Sequence, residues 1–554
     1  MQNNFDPAAP RSQYKTIIAH ALHEHSRLTT RQENDPDADI SDLFTDNKQL
    51  RTLEKVDWQI LFGRRGAGKT TLLHKLADVL DEKVKYASLN LSLQKCIVDL
   101  PANTPDRIKG LVQFEKFVME IGYLLYRIYL NRNSSKNKNR KITKLFQYFS
   151  NETHTIESAI LNIATFAHRG VVFGAENEKT TSVTTKKERA SGFGFGSKID
   201  LSLLKGAEAF SAHANAEIQR KMAGLSESKY EETAYIDFSA LKREFVELLD
   251  ALKIDTLYIL IDEWSAIDRR HNPASQVYFA EYLKRAFFGT SRICVKISAI
   301  EHESRFAEYV EVGRIGLEVG ADIFAQVNLD HIYNNRVLNL SQFFQEVLYK
   351  RLKHCDKNVE IFGQRDNKGV PIEGFMDIMF AETGRMEEII HASGGIPRDF
   401  INIFDAVASE YDYSVDEKWK KHKIKDVIMR RAIERAETIL VKNSLIDCVY
   451  STIRESVNSS GHRVVLIEKD LDPDIVLAVE SLFSSRMLHK LDIATVPEEI
   501  RLKYIAYETD YGVFLDWTRD RKRTKSYSID MKKFSRGDLL ECVVDISRCA
   551  IMSK

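Results

Sequence analysis

The sequence predicts an α/β protein: a doubly wound parallel sheet, then a set of helices, then a smaller mixed domain. Three observations predict it. A continuous apolar run at 257–261 reads as a strand covered on both faces, as central parallel strands are, and mostly apolar stretches at 58–62 and 293–300 read as further buried strands. Amphipathic helix patterns separate these runs. From about residue 330 to 440 the pattern is helical alone, so the alternating scheme ends there.

Bulk composition narrows the class. A chain of 554 residues has room for two to four domains. Its 44% hydrophobic, 29% charged and 10% aromatic content supplies more than one core. The 80 basic and 80 acidic residues cancel, so any nucleic-acid surface has to be a local patch. The cysteines (Cys96, Cys294, Cys355, Cys448, Cys542, Cys549) include no CxxC pair. That argues against a zinc site and a disulfide framework, and fits a reducing cytosol. No apolar run approaches the ~18 residues needed to span a bilayer. The first residues lack a basic-then-apolar signal pattern. A cytoplasmic protein without membrane association is expected.

The elements follow in order. Residues 1–44 are a polar lead-in. A helix pattern at 14–28 places Ile17, Ile18, Ala21 and Leu22 on one face, and a second helix pattern covers 42–53. The strand at 58–62 runs into a glycine-rich loop, and a helix over 71–80 follows with Leu72, Leu73, Leu76, Val79 and Leu80 on one side. A strand at 85–93 alternates, and 111–130 is a long helix. Residues 131–235 form an insertion. It opens on a polar, basic break at 131–141 and is helical over 142–169. From 170 it is poor in large apolar residues. Within it, Phe193 and Phe195 lie in an alternating glycine hairpin, either a partner-binding tip or a flexible hairpin without a partner. Helices at 238–253 and 278–288 flank the strand at 257–261, and 323–329 reads as a further strand. Helices are expected at 340–352, 375–380, 386–392, 398–409 and 423–441. The last part reads as a helix (445–457), a strand (462–467), a helix within 473–491, and a hairpin of 502–508 with 512–517 around Thr509-Asp510-Tyr511.

The chemistry begins at the loop. Gly63-Arg64-Arg65-Gly66-Ala67-Gly68-Lys69-Thr70, followed by Thr71, is the full GxxxxGK[ST] pattern between a strand and a helix. Glycines let the backbone wrap a phosphate chain, and the N–H groups at the helix start point at the anion. Lys69 reaches the β- and γ-phosphates, and Thr70 holds Mg²⁺. Asp262 and Glu263 end a buried strand, where an α/β sheet places ligand chemistry. Asp262 can hold Mg²⁺ and Glu263 can orient or deprotonate the attacking water. Ser298, late in the next strand, can hydrogen-bond the γ-phosphate or the water. Arg398 follows Gly394-Gly395-Ile396-Pro397 at a helix start, where the macrodipole gives an arginine nothing; it either meets an outside anion or makes a surface salt bridge. Arg285, Arg305 and Arg314 are candidates to reach a neighbour's nucleotide, and the sequence does not choose among them. The basic run from Arg519 to Lys525 either faces phosphates or is a solvated tail.

The order of these motifs resembles the AAA+ ATPases of the origin-recognition-complex, initiator type. The resemblance implies a P-loop NTPase core over 45–330, with Walker A at Gly63 to Thr70, Walker B at 257–263 and sensor 1 at Ser298. It also implies a helical lid over 331–440 with Arg398 as sensor 2, a C-terminal winged helix over 441–525, and a tail over 526–554. ATP and Mg²⁺ are the implied cofactors, a homo-oligomer the implied assembly, and duplex DNA a partner of the winged helix. Lys69 and Asp262 stand 193 positions apart (262 − 69) because the insertion intervenes, more than a compact initiator needs. Bacterial proteins of this general look also serve in mobile-element and antiphage operons. A nucleotide-controlled switch that recruits an effector through 170–235, without binding DNA, is therefore the alternative expectation. The intact Lys69, Thr70, Asp262 and Glu263 argue against a DNA-binding regulator with a degenerate nucleotide site.

Overall fold

The computed structural model describes residues 11–26, 43–83, 85–98, 100, 104–131, 160, 163, 237–267, 274–310, 313–330, 339–363, 376–381, 386–440, 443–491, 496–519 and 534–549. The insertion therefore lies outside the described residues, apart from 131, 160 and 163. So does the basic run beyond Arg519. Two units are present: Leu50–Phe62 with Leu73–Val327, and Met1–Gln49 with Gly63–Leu72 and Asn328–Lys554. Helix α1 (Arg11–His25) opens the second of these, and α2 (Leu50–Leu53) the first.

The first unit is the predicted α/β sheet. Its strands are β1 (Gln59–Phe62), β2 (Tyr86–Ser92), β3 (Thr256–Asp262) and β4 (Ile293–Ala299), and its helices include α3 (Lys69–Asp81, which starts in the second unit), α4 (Asp106–Asn131), α5 (Phe238–Ala251) and α6 (Ala274–Phe287). A short antiparallel pair, β5 (Ala307–Val310) with β6 (Gly313–Gly316), was not legible as strands, and β7 (Ala325–Asn328) is shorter than the expected 323–329. The sheet order is β2-β3-β4-β1-β7. β2 with β3, β3 with β4, and β4 with β1 are all parallel. Ser92 sits opposite Asp262, Ile261 opposite Ile297, and Phe62 opposite Ala299, so these strands reach one carboxyl edge nearly level.

β3 and β4 are buried along their whole length, which is why neither alternates. Lys296 is the exception in composition. Its ammonium is fully buried in β4 and donates to the carbonyls of Lys55 (2.6 Å) and Asp57 (2.7 Å) and to the Gln59 amide oxygen. Burial pushes its pKa down. Those acceptors satisfy a group that would otherwise be very costly to desolvate. The core is aromatic: Phe114 and Phe117 of α4 meet Phe279 of α6 at 6.1 and 5.5 Å between ring centres. Gly110 lets α4 and α6 approach, since a Cβ there would lie 2.7 Å from Tyr278 Cβ and 2.9 Å from the Ser275 carbonyl oxygen.

The second unit carries the predicted run of helices: α7 (Leu340–Cys355), α8 (Met376–Met379), α9 (Met386–Ala392), α10 (Pro397–Glu410) and α11 (Lys421–Leu440). Phe344 of α7 stacks on Phe400 of α10 at 4.5 Å. The buried His25 of α1 lies 2.7 Å from Asp405 and accepts a hydrogen bond at Nε2 from Arg351 Nε at 3.0 Å. Beyond them come α12 (Ser444–Ser460), β8 (Val464–Glu468), α13 (Pro473–Ser484), β9 (Leu488–Lys490), α14 (Glu498–Lys503), β10 (Tyr504–Thr509), α15 (Tyr511–Trp517) and α16 (Arg536–Glu541).

Two expectations for this last part are corrected. Residues 512–517 are a helix, not the second strand of a hairpin, because the Asp510 side chain accepts from the N–H groups of Gly512 (3.0 Å) and Val513 (3.1 Å) and caps a helix start. β10 instead pairs antiparallel with β8 on one side and β9 on the other. Helix α13 ends at Ser484, within the expected 473–491. Cys448 and Cys549 form a disulfide across 101 residues, which their spacing did not announce.

Candidate functional site

The loop Gly63 to Thr70 lies in the second unit and is shaped as its sequence requires. Gly66 and Gly68 take φ of +87° and +90°, which side-chain-bearing residues rarely adopt. A Cβ on Gly66 would also stand 2.6 Å from Arg398 Cβ, and the Arg398 N–H donates to the Gly66 carbonyl at 3.3 Å. The Lys69 ammonium folds back onto the carbonyls of Gly63 (2.6 Å) and Arg64 (3.1 Å). Helix α3 begins at Lys69, so Thr70 and Thr71 occupy its first turn. A cavity opens here, lined by Gly66, Gly68, Lys69, Thr70, Thr71, Pro397 and Arg398, with Leu43, Phe44, Phe343, Val347 and Ile401 as an apolar wall. Thr45 and Asn47 add polar groups to the lining. Arg398 thus comes to the loop as the motif order implied.

The two loop arginines have partners that sequence reading missed. Arg64 is buried; its N–H donates to Asp330 Oδ2 at 2.9 Å, and its guanidinium bonds the imidazole of His489 in β9. Burial, with Arg64 beside it, pushes the His489 ring down to about 4, so it is neutral at pH 7. A neutral ring that accepts at Nδ1 carries its proton on Nε2, which faces Asp510 at 3.6 Å. Burial disfavours the charge on Asp510, but Arg435 at 3.5 Å and His489 outweigh it and hold the carboxyl at about 2. Arg486 donates to the Arg65 carbonyl at 3.2 Å while paired with Asp399. Gly394 approaches the His489 ring so closely that a Cβ would meet Cε1 at 2.8 Å.

The carboxylates form their own cluster in the first unit. Asp262 is buried at the end of β3, and the Ser298 hydroxyl donates to its Oδ1. Glu263 takes a left-handed backbone (φ +61°), uncommon for a non-glycine residue and typical of a functional turn. Its N–H donates to Asp262 Oδ1 at 2.9 Å, and its carboxylate accepts from Ser92 Oγ (2.5 Å) and Gln94 Nε2 (2.8 Å). Ser298 therefore touches the proposed metal carboxylate, and Ser92 and Gln94 hold the proposed base. Nothing in the sequence pointed to the latter pair, since a serine and a glutamine at the end of an ordinary strand carry no motif.

The candidate arginines for a neighbouring copy divide. Arg285 is paired with Glu281 (2.7 Å) and Arg314 with Glu318 (2.5 Å), each within its own chain. The Arg305 backbone is held by Gln276 at 2.8 Å and by Trp264. Among the described residues no helix is long and apolar enough to cross a membrane.

No family model matches the chain, and no curated protein matches it. A solved structure to which it is similar is that of the Aeropyrum pernix ORC2 protein in ADPNP–ADP complexes. The two are 10% identical, the match covers 94% of this chain and 96% of that one, and the TM-score is 0.30. That score is too low to transfer a property from one to the other.

Proposed function

We propose that this chain is a Mg²⁺-dependent ATPase of the AAA+ initiator-like kind, and that its nucleotide state controls its C-terminal domain. One observation carries the reading. The phosphate-binding loop has the two left-handed glycines its pattern needs, opens on a cavity with an apolar wall, and is touched by Arg398 at a helix start. The residues fit the ligand. Loop N–H groups and Lys69 would bind the β- and γ-phosphates, leaving the carbonyls of Gly63 and Arg64. Thr70 and Asp262 would hold Mg²⁺, which when bound would neutralise developing charge on the phosphates. Phe44, Phe343 and Ile401 offer the base an apolar surface. Glu263, steadied by Ser92 and Gln94, would orient the attacking water and take its proton, while Ser298 keeps Asp262 in place.

Steady-state ATP hydrolysis tests this. Lys69→Ala is expected to lose turnover through lost phosphate binding. Glu263→Gln is expected to bind ATP normally and hydrolyse it ~10²–10⁴-fold more slowly. If Glu263→Gln turns over like wild type, the base assignment fails.

The contacts of Arg64 and Arg65 with His489 and Arg486 support control of the C-terminal domain by the loop. The sheet order β8-β10-β9 supports a winged-helix reading, although a single described helix, α13, separates β8 from β9. If DNA is the partner, log affinity falls against log salt with a slope of about −0.9 per phosphate contact. A flat titration together with ATP-dependent assembly would favour the switch that recruits an effector.

A further inference from the structure

A second cluster of ligand atoms lies away from the loop and the acid pair, within the second unit. His462 stands two positions before β8, and its side chain is 5% exposed. Its Nε2 stands 3.5 Å from Asp538 Oδ1 and 3.9 Å from Glu541 Oε2, and the three ligand atoms all lie within 4.8 Å of one another. Asp538 and Glu541 are three apart on α16, so they share a face.

The surroundings are built to hold this arrangement. Asp538 Oδ2 accepts from the Ser535 N–H (2.9 Å) and hydroxyl (2.7 Å), which turns Oδ1 toward His462. The Phe534 ring lies 5.0 Å from the imidazole. Just beyond α16, the Leu466 N–H donates to the Cys542 carbonyl (2.7 Å) and the Val544 N–H to the Leu466 carbonyl (3.0 Å), which pins the end of α16 against β8.

The spacings bear on whether this is an ion pair or a metal site. A hydrogen-bonded imidazolium and carboxylate would stand at about 2.7–2.9 Å. Metal–nitrogen and metal–oxygen bonds of about 2.0–2.2 Å in a tetrahedral shell instead put ligand atoms roughly 3.3–3.6 Å apart. The His462–Asp538 spacing of 3.5 Å falls in the metal range, the His462–Glu541 spacing of 3.9 Å lies just outside it, and Glu541 sits at the half-exposed rim of the cluster. Two carboxylates and a neutral imidazole also balance a divalent charge, and an imidazole donor favours a transition metal over Mg²⁺ or Ca²⁺.

We propose that His462, Asp538 and Glu541 form a Zn²⁺-class metal site with three protein ligands and an open fourth position, which fastens α16 to the start of β8. The scattered cysteines gave no sign of it because its donors are nitrogen and oxygen.

The test uses the full chain, stripped of metal and free of nucleotide. Zn²⁺ is titrated in competition with a chromophoric chelator, and Co²⁺ is followed by its visible absorption. One equivalent is expected, with four-coordinate Co²⁺ bands and no thiolate charge-transfer band. Both His462→Ala and Glu541→Gln are expected to weaken it at least ~10-fold. Glu541 is exposed enough for its substitution to leave the fold intact, which keeps the test sound should His462→Ala misfold. Failure of the wild-type chain to take up Zn²⁺, a thiolate band, or unchanged affinity in Glu541→Gln would each overturn the proposal.

Discussion

Gly66 has no room for a side chain. Its φ of +87° alone costs a substituted residue about 1–2 kcal/mol, and a Cβ would press on Arg398 at 2.6 Å. Gly66→Ala is therefore expected to weaken ATP binding while leaving the acid cluster of the other unit untouched, measured by nucleotide titration beside the thermal midpoint. His489 makes a pH prediction. Its ring is depressed from 6.5 to about 4, so between those values the unfolded chain binds the extra proton. Stability from this group is full above about pH 6.5 and is lost as pH falls toward 4, by about 3 kcal/mol. His489→Gln should flatten that part of a plot of unfolding free energy against pH. The proposed catalytic residues could be picked out because the loop and the acid pair are fixed spacings tied to a strand end. Phe44, Phe343, Ser92, Gln94 and His489 were not, because each reaches its place through the fold and none belongs to a local pattern.

Elements were most legible where burial was complete. β3 followed from an unbroken apolar run and β4 from a mostly apolar one, in which Lys296 is tolerated because carbonyls at Lys55 and Asp57, far off in sequence, satisfy its ammonium. The hairpin expected at 502–517 failed for a local reason. Tyr511 to Trp517 has strand-like composition, but Asp510 caps it into a helix. The α4–α6 contact supplies a test of packing. A glycine in a helix normally gains about 0.5–1 kcal/mol on replacement by alanine. At Gly110 the new methyl would meet backbone atoms of Ser275 (2.9 Å) and Phe279 (3.0 Å) that cannot swing away. The clash wins, and Gly110→Ala is expected to destabilise the chain by about 1–3 kcal/mol in chemical denaturation.

Across the whole molecule, the chain passes between its two units at residues 49–50, 62–63, 72–73 and 327–328. The sheet unit was readable as a whole because its strands and helices alternate. The other unit was not, since it gathers the lead-in, the segment 63–72 with the loop and the first turn of α3, and everything after 327. A ligand that binds only the folded chain stabilises it by mass action, about 2.7 kcal/mol at one hundred times its Kd. ATP is thus expected to raise the thermal midpoint of wild type and of Glu263→Gln but not of Lys69→Ala, read by calorimetry.

The contacts of Arg64 bear on how this chain can be taken apart. A fragment ending at residue 440 would keep every motif of the ATPase reading and still lose His489 and Arg486. It would strand the Arg64 guanidinium, buried beside Asp330, without its imidazole acceptor, and release the Arg65 carbonyl. Removing one partner from a buried charged network commonly costs several kcal/mol. Such a fragment would lose nucleotide affinity for reasons unrelated to DNA or effectors. A chimera that exchanges either the loop or the C-terminal domain is therefore expected to need the matching half of this contact carried with it.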